Sequence, residues 1–368
     1  MEKQNQVNTP QQEPEKKKTG KIILIIAIIV AVFILLGVIV AGVMKDRKED
    51  AVPVSQPVEE ETIVYGDEYY GIDAGVDEQL QDYRNVVLLG VDTKSIETDE
   101  GHRSDGMIVC SFHKKTGDVK VFSVYRDTYL DIDETHGLDK VTHGYAYGGM
   151  DESIRALNRN LDLNIREAIV FSWNSVSHLV NSIGGVDIEI RDSEVSQFNK
   201  LLENEEDRIS SGGKYTLNGA QAVAYCRMRY DSSDFRRNER MQTVLITALN
   251  QAKEMSAARL LNIMDDNIDN IKSNMSKGTM TETLMEIADY EVKDSNICFP
   301  FDTKGWMHNE IYYGVPVTLH TNVAELHEKI FGQADYQPSE FVEKTSAEIE
   351  SRSGYTKSAG NPEESGNE

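Results

Sequence analysis

The sequence predicts an α/β domain built on a mixed sheet and preceded by one transmembrane helix, and three observations carry that prediction. Apolar extended runs alternate with helical patterns through the middle of the chain, which implies helices layered on a sheet. Two of the extended runs are separated by little more than Lys-Thr-Gly and Asp118. That spacing is a tight hairpin, so the sheet cannot be purely parallel. Near the N-terminus, IILIIAIIVAVFILLGVIVAGVM (22–44) runs for 23 residues without a charge. At about 1.5 Å per helical residue it crosses a hydrocarbon layer of about 30 Å.

Taken in order, residues 1–21 are rich in Gln, Pro, Glu and Lys and read as a disordered cytoplasmic tail. The run 22–44 lacks a small-residue cleavage site and outlasts the apolar core of a signal peptide, so it reads as an uncleaved anchor rather than a secretion signal. Lys16, Lys17, Lys18 and Lys21 precede it against Lys45, Arg47 and Lys48 after it. This slight bias puts the N-terminus in the cytoplasm and the rest of the chain outside the cell. Residues 45–79 are polar and acidic and read as an extracytoplasmic linker, although IVYGDEYYGID offers material to extend the domain.

The domain itself is expected over 80–343. NVVLLGVD (85–92), MIVCSFH (107–113) and VKVFSVYRD (119–127) read as buried strands. Ile154, Leu157 and Leu161 mark a helical face, AIVFSW (168–173) a strand, SVSHLVNSIGG (175–185) a short helix and VDIEI (186–190) another strand. Residues 218–226 are helix-like, and Met241, Leu245, Ala248 and Ala252 form one stripe of a longer helix. MTETLMEIADY (280–290) and VAELHEKIFG (323–332) read as amphipathic helices that complete the domain. Residues 344–368, rich in Ser, Glu and Gly without apolar periodicity, are expected to be a disordered tail.

The 62 acidic residues against 38 basic ones, a net charge of -24, exclude nonspecific binding of nucleic acid by the surface as a whole. Cys110, Cys226 and Cys298 lie in apolar or semi-apolar runs without paired spacing, so they read as small core side chains rather than a disulfide framework. Against that acidic background YCRMRYDSSDFRRNERMQ (225–242) carries five arginines. Arg227 and Arg229 lie two apart leaving a helix; Arg237 and Arg240 lie three apart at the start of the next and share a face.

Three other segments place acids and arginines at strand ends. Asp92 ends the first strand, Arg103 and Asp105 precede the second with the spacing of one extended face, and Arg126-Asp127 closes the third. Ion pairs tying strand to loop, or a solvated Arg-Glu face, account for any one of these. Together they also suit a phosphate site, because guanidinium forks and helix N-termini bind phosphate oxygens and adjacent carboxylates accept a hard ion such as Mg2+.

Six segments in order, VVLLGVD (86–92), HRSDGMIVCSF (102–112), VFSVYRDTYLDI (121–132), LDKVTHGYAYGG (138–149), IGGVDIEI (183–190) and YTLNGAQAVAYCRMRYDSSDFRRNERMQ (215–242), resemble the LytR-CpsA-Psr family over residues 81–255. The resemblance implies a three-layer α/β/α sandwich enclosing an apolar pocket for a polyprenyl chain. It also implies an enzyme of the Gram-positive-type cell membrane, with its catalytic domain extracytoplasmic. Such an enzyme transfers a glycopolymer phosphate, such as teichoic acid or capsule, from an undecaprenyl-pyrophosphate carrier to peptidoglycan. A polyprenyl-phosphate-binding regulatory protein and a carrier pyrophosphate hydrolase are the alternatives.

Carried over by position, Asp105 and Asp127 match the magnesium-binding acids, and Arg126 and Arg229 join them as catalytic candidates. Arg103, Arg126, Arg227, Arg229, Arg237, Arg240 and Gln242 match pyrophosphate-binding positions, with Asp92 and Asp234 supporting them. Met241 stands where the family has a glutamine, Tyr125 where a proline is frequent and Arg236 where glycine is common. His143 suits packing or hydrogen bonding as readily as chemistry.

Overall fold

The computed structural model describes residues 66–93, 101–228, 266–276 and 291–356, with scattered, mostly helical positions between 240 and 263. The anchor 22–44 and the helix expected at 280–290 lie outside the described residues. In chain order the elements are α1 (Ala74–Gln79), β1 (Tyr83–Val91), β2 (Ser104–His113), β3 (Asp118–Val124), β4 (Tyr129–Asp131), β5 (Leu138–Lys140), α2 (His143–Leu161), β6 (Glu167–Phe171) and α3 (Trp173–Ser182). Then follow β7 (Val186–Ile190), α4 (Val195–Lys200), β8 (Gly213–Leu217), α5 (Gly219–Arg227), β9 (Ile271–Ser273), β10 (Glu291–Phe299), β11 (Thr303–His308), β12 (Ile311–Pro316), α6 (Leu319–Phe331) and α7 (Glu340–Ser353).

The central sheet has the order β10-β3-β2-β1-β6-β9. β1 pairs antiparallel with β2 and β2 with β3, as the hairpin reading requires, whereas β6 joins β1 and β10 joins β3 in parallel. Alternation along each strand sends side chains to opposite faces. Val86, Leu88, Cys110 and Phe112 enter one core, and Val87, Leu89, Met107 and Val109 enter the other. Burial on both faces explains why β1 reads as a continuous apolar run rather than an alternating one.

The first face is covered by Val180 of α3, by Ala222 and Cys226 of α5, and by Val244 and Ala248 of the helical positions that follow Arg240. The second is covered by Ile154, Leu157 and Leu161 of α2, by Val323 and Leu326 of α6, and by Val342 and Ile349 of α7. The helical stripes expected at 150–161 and 323–332 therefore face the sheet. VDIEI forms a strand, but among the described residues it pairs only with β8, in a separate ribbon.

Two boundaries expected from sequence are corrected. Residues 66–79 are not linker: Tyr70, Ile72 and Val76 are buried in the second core, and Asp73 caps α1 by accepting from the N–H groups of Gly75 and Val76. Residues 344–353 are not a disordered tail but most of α7. Its buried face is Val342, Thr345, Ser346 and Ile349, a helical spacing in which two of four members are small polar residues. That is why hydropathy did not reveal it.

Helix positions are set by caps and close approaches. Ser172 caps α3 and Asn218 caps α5, each in a reciprocal capping box. α2 kinks at Gly148 and Gly149, and Gly149 has φ 63°, ψ -147°, a conformation open essentially to glycine alone. Gly219 opens α5 directly against α3, where a Cβ would fall 2.1 Å from the carbonyl oxygen of Ser177. Gly219→Ala is therefore expected to lower stability by about 2 kcal/mol through overpacking, measured as a shift in the denaturant midpoint at unchanged slope.

Candidate functional site

β1 and β2 pair in register from Tyr83↔His113 to Gly90↔Gly106, then shift so that Val91 faces Ser104. Asp105 is the extra residue of this β-bulge, and bulges re-aim side chains at strand ends. The bulge breaks the shared extended face expected for Arg103 and Asp105. Asp105 turns inward and is 6% exposed, while Arg103 is exposed to solvent.

Arg126 and Asp127 follow β3 in a turn closed by the Thr128 N–H on the Tyr125 carbonyl at 3.0 Å. Their backbone is fastened on two further sides. Thr142 N–H donates to the Arg126 carbonyl at 3.1 Å, and Gly314 N–H donates to the Asp127 carbonyl at 2.8 Å. Because the chain turns here, Arg126 and Asp127 converge instead of diverging as strand neighbours would. Arg126 Nη1 donates to Asp105 Oδ1 at 2.9 Å, and its Nε lies 3.6 Å from Asp127 Oδ2. Asp127 Oδ1 also holds Lys140 Nζ at 2.7 Å.

Asp105 is in addition part of the wall of an almost wholly apolar cavity of about 120 Å³. Leu88 and Ile108 of the sheet, Val176 and Leu179 of α3, Cys226 of α5, and Val244 and Ala248 line it. Gly90 and Gly106 face each other at its charged end and leave room there. A Cβ on Gly106 would lie 3.7 Å from Met241 Cε. Met241, the departure from the family's amide, thus adds a soft apolar group to the cavity wall. Trp173 lines the same cavity, donates from Nε1 to Asp92 Oδ1 at 2.7 Å and lies beneath the Arg227 guanidinium, 5.8 Å from the ring centroid. Asp92 N–H in turn donates to the Arg103 carbonyl at 3.1 Å.

The structure therefore ties Arg126 and Asp127 to the cavity through Asp105, and Asp92 and Arg227 to it through Trp173, while Arg103 is joined to Asp92 by its backbone carbonyl and keeps its side chain in solvent. Arg229, Asp234, Arg236, Arg237 and Gln242 lie outside the described residues. Arg240, whose neighbour Met241 lines the cavity, is itself 3% exposed, with Nη1 donating to the Met228 carbonyl at 2.9 Å and Nη2 to Glu194 Oε1 at 3.2 Å. Burial pushes the Glu194 carboxyl upward, but bonds from Arg191 and Arg240 outweigh it and hold the group below the ordinary carboxylate range.

Sequence reasoning missed Lys140 and Trp173. Lys140 lies inside a segment that carried the resemblance, and Trp173 opens a helix at a strand end, but neither advertises its partner locally. His143 is resolved as a hydrogen-bonding residue, with Nδ1 2.7 Å from Asp139 Oδ2. Burial raises the Asp139 carboxyl, yet hydrogen bonds from His143, the Lys140 N–H and Tyr147 outweigh it and hold the group at about 2.

For Mg2+ the donor chemistry fits in part. Asp105 and Asp127 are hard carboxylates gathered by one guanidinium. Among the described residues no third carboxylate, His or Cys completes a cluster, and Mg2+ commonly takes one or two carboxylates with phosphate and water oxygens.

Arg240→Ala is expected to destabilise the fold by about 3 kcal/mol, because it strips a buried carboxylate of a partner; chemical denaturation measures the loss. Asp139→Asn tests the acid limb. A carboxyl lowered from 3.8 to about 2 contributes stability that is fully present above the higher value and lost as pH falls through the lower one. The variant should flatten that limb by on the order of 1 kcal/mol after solvent screening, read from unfolding midpoints across acid pH.

Comparison with known proteins agrees with this architecture. The chain is 32% identical over 199 residues to the polyisoprenyl-teichoic acid–peptidoglycan teichoic acid transferase TagT of Bacillus subtilis, covering 53% of this chain and 61% of that one. It is 28% identical over 205 residues to the corresponding TagU of Enterococcus faecalis, covering 55% and 65%. The chain thus spans somewhat under two thirds of the length of these relatives. Among solved structures, TagT bound to LIIa-WTA shares the fold at 23% identity and TM-score 0.53, covering 75% of this chain and 92% of that one. YwtF (TagT) with bound octaprenyl pyrophosphate lipid does so at 20% identity and TM-score 0.50, covering 83% and 100%. The LytR_cpsA_psr family model matches residues 44–329, and the chain belongs to that family.

Proposed function

We propose that this protein transfers a glycopolymer phosphate from an undecaprenyl-pyrophosphate carrier to peptidoglycan, working outside the cell from a single membrane anchor at 22–44. The observation that carries the reading is the junction of unlike environments at Asp105: one carboxylate belongs both to the wall of an apolar cavity and to the Arg126-Asp127 ion cluster. A polyprenyl pyrophosphate has the same two halves, an apolar chain and a dense anion. The names of similar proteins support the pairing, since TagT has been solved with octaprenyl pyrophosphate and relatives are called teichoic acid transferases.

Arg126 carries the central role among the described residues. Guanidinium has five N–H donors in a planar fork, so it can serve carboxylate and phosphate oxygens together. Arg227 and Arg103 add positive charge at the cavity mouth, and Arg229 and Arg237 are assigned to the pyrophosphate on sequence position. Arg240 is assigned instead to holding the chain at Met228, because Glu194 and that carbonyl occupy its guanidinium. Mg2+, held by Asp105 and Asp127, would supply neutralisation of charge on the phosphate oxygens.

The reaction is an in-line displacement at the phosphorus next to the polymer. A sugar hydroxyl of peptidoglycan forms the new O–P bond, and its proton passes to a carboxylate of the site. The bond to the bridging pyrophosphate oxygen breaks, and undecaprenyl phosphate leaves with the electron pair. Orientation by arginines fixed in a dry site contributes through position and field rather than covalent chemistry.

With full-length protein, lipid-linked polymer and peptidoglycan, Asp105→Ala and Asp127→Ala are each expected to lower transfer by about 100-fold or more while the circular dichroism spectrum is unchanged. Chelation of the wild type should do the same, and added Mg2+ should restore it. Transfer by the double variant at the wild-type rate would sink the proposal. Release of phosphorylated polymer without attachment to peptidoglycan would identify water as the acceptor and make the protein a hydrolase.

A further inference from the structure

On the far side of Arg126 from the apolar cavity, a surface of rings surrounds Asp139. The Tyr147 ring is 43% exposed and stacks on His136 with centroids 3.7 Å apart and planes 4° from parallel. Its hydroxyl donates to Asp139 Oδ2 at 2.8 Å, so the ring is held from below and behind. Beside it, the β11-β12 hairpin sets Trp306 opposite Tyr313, and both rings pack on Tyr129 at centroid distances of 5.5 and 4.8 Å. Trp306 stays half-buried and also stacks on the exposed His308 at 4.6 Å.

This surface is continuous with the ion cluster. Lys140 Nζ lies 5.7 Å above the Tyr313 ring while bonding Asp127, and the hairpin is tied to the Asp127 carbonyl through Gly314 N–H. Tyr129, Tyr145 and Tyr313 belong to the core on one face of the sheet, whereas the cavity's apolar lining, Val91 apart, belongs to the other. Contacts run without a break from the cavity through Asp105, Arg126, Asp127 and Lys140 to the Tyr313 ring.

We propose that the ring of Tyr147, with Asp139 and His143 beside it, and the ring of Trp306, packed on Tyr129 and Tyr313, bind the sugar residues of the acceptor glycan. The inference rests on the transfer reading above and names the acceptor's side of that site. Displacement at phosphorus places the attacking and leaving oxygens roughly in line. A lipid chain in the cavity puts the leaving phosphate on the cavity side, so the attacking hydroxyl comes from the side of the rings. A pyranose presents C–H bonds on its flat face and hydroxyls around its rim. Aromatic faces are electron-rich and suit the first, and a charged carboxylate with a neighbouring imidazole suits the second. Held rings also lose little freedom on binding.

The test uses the full-length protein with a soluble, uncrosslinked peptidoglycan glycan strand and lipid-linked polymer as donor. Tyr147→Ala should raise the acceptor KM by about tenfold with kcat and donor KM little changed, and Tyr147→Phe, which keeps the ring, should stay near wild type. Trp306→Ala is the second variant and should behave as Tyr147→Ala. Calorimetric titration of the glycan strand without donor should show the same ranking of affinities. That arm separates two failures, since Tyr147-dependent glycan binding without wild-type transfer would overturn the reaction and leave the surface standing. Unchanged acceptor KM and glycan affinity in both alanine variants would overturn the proposal. A rise in donor KM equal to that for the acceptor would overturn it in favour of a site for the donor's own saccharide.

Discussion

The arrangement of this molecule turns on one guanidinium between two carboxylates. Asp105 is nearly buried and carries charge into a site whose other wall is hydrocarbon, a placement that costs several kcal/mol unless a counter-charge with good geometry stands beside it. Arg126 is that counter-charge. It can stand there because three segments fasten its turn: the end of β10, whose Phe299 carbonyl accepts from Tyr125 N–H at 3.0 Å, the start of α2 at Thr142, and the β11-β12 hairpin at Gly314. Elements distant in sequence therefore meet at two residues. A change to any of the three fastenings acts on the ion cluster before it acts on the rest of the fold.

This constraint also divides the surroundings of the site. A strand buried on both faces offers no polar outlet along its length, so charge can be placed only where β1 and β2 end and the bulge at Asp105 releases the register. Beyond that point the two faces of the sheet diverge in character. One supplies aliphatic side chains and the glycine pair that leaves the cavity open. The other supplies the buried rings of Tyr129, Tyr145 and Tyr313, and the half-buried Trp306 packs on the first and last of them. An ionic cluster at the seam can touch an apolar chain and a polar partner without either crossing the core.

Much of this was legible in the chain. The apolar runs of β1, β2 and β3, the hairpin at Asp118 and the faces of α2 and α6 follow from periodicity, because each element buries a repeating set of large apolar side chains. Asp105, Arg126 and Asp127 could be named from motif spacing, and they do meet. What could not be read was how they meet. A bulge is a difference of one residue between two strands, and it is invisible in either strand alone. The ammonium of Lys140 and the indole of Trp173 find their acids through folding, across 13 and 81 positions respectively. α7 escaped notice because its buried face is built partly from Thr345 and Ser346, which carry little hydropathy.

Arg126 and Arg240 separate two uses of the same residue type that spacing could not distinguish. Both are arginines close to acids, and both come from segments with strong charge patterns. Arg240 is enclosed, with Glu194 and the Met228 carbonyl answering its donors, and a group so committed gives up bonds of equal quality if it turns to a ligand. Arg126 keeps a side chain 23% exposed and shares its carboxylates with Lys140 and the cavity, so the cluster can admit a further anion by redistribution rather than rupture. The distinction rests on what each guanidinium would have to abandon. Of two equally basic side chains, one is placed where it can exchange partners and the other adds only rigidity.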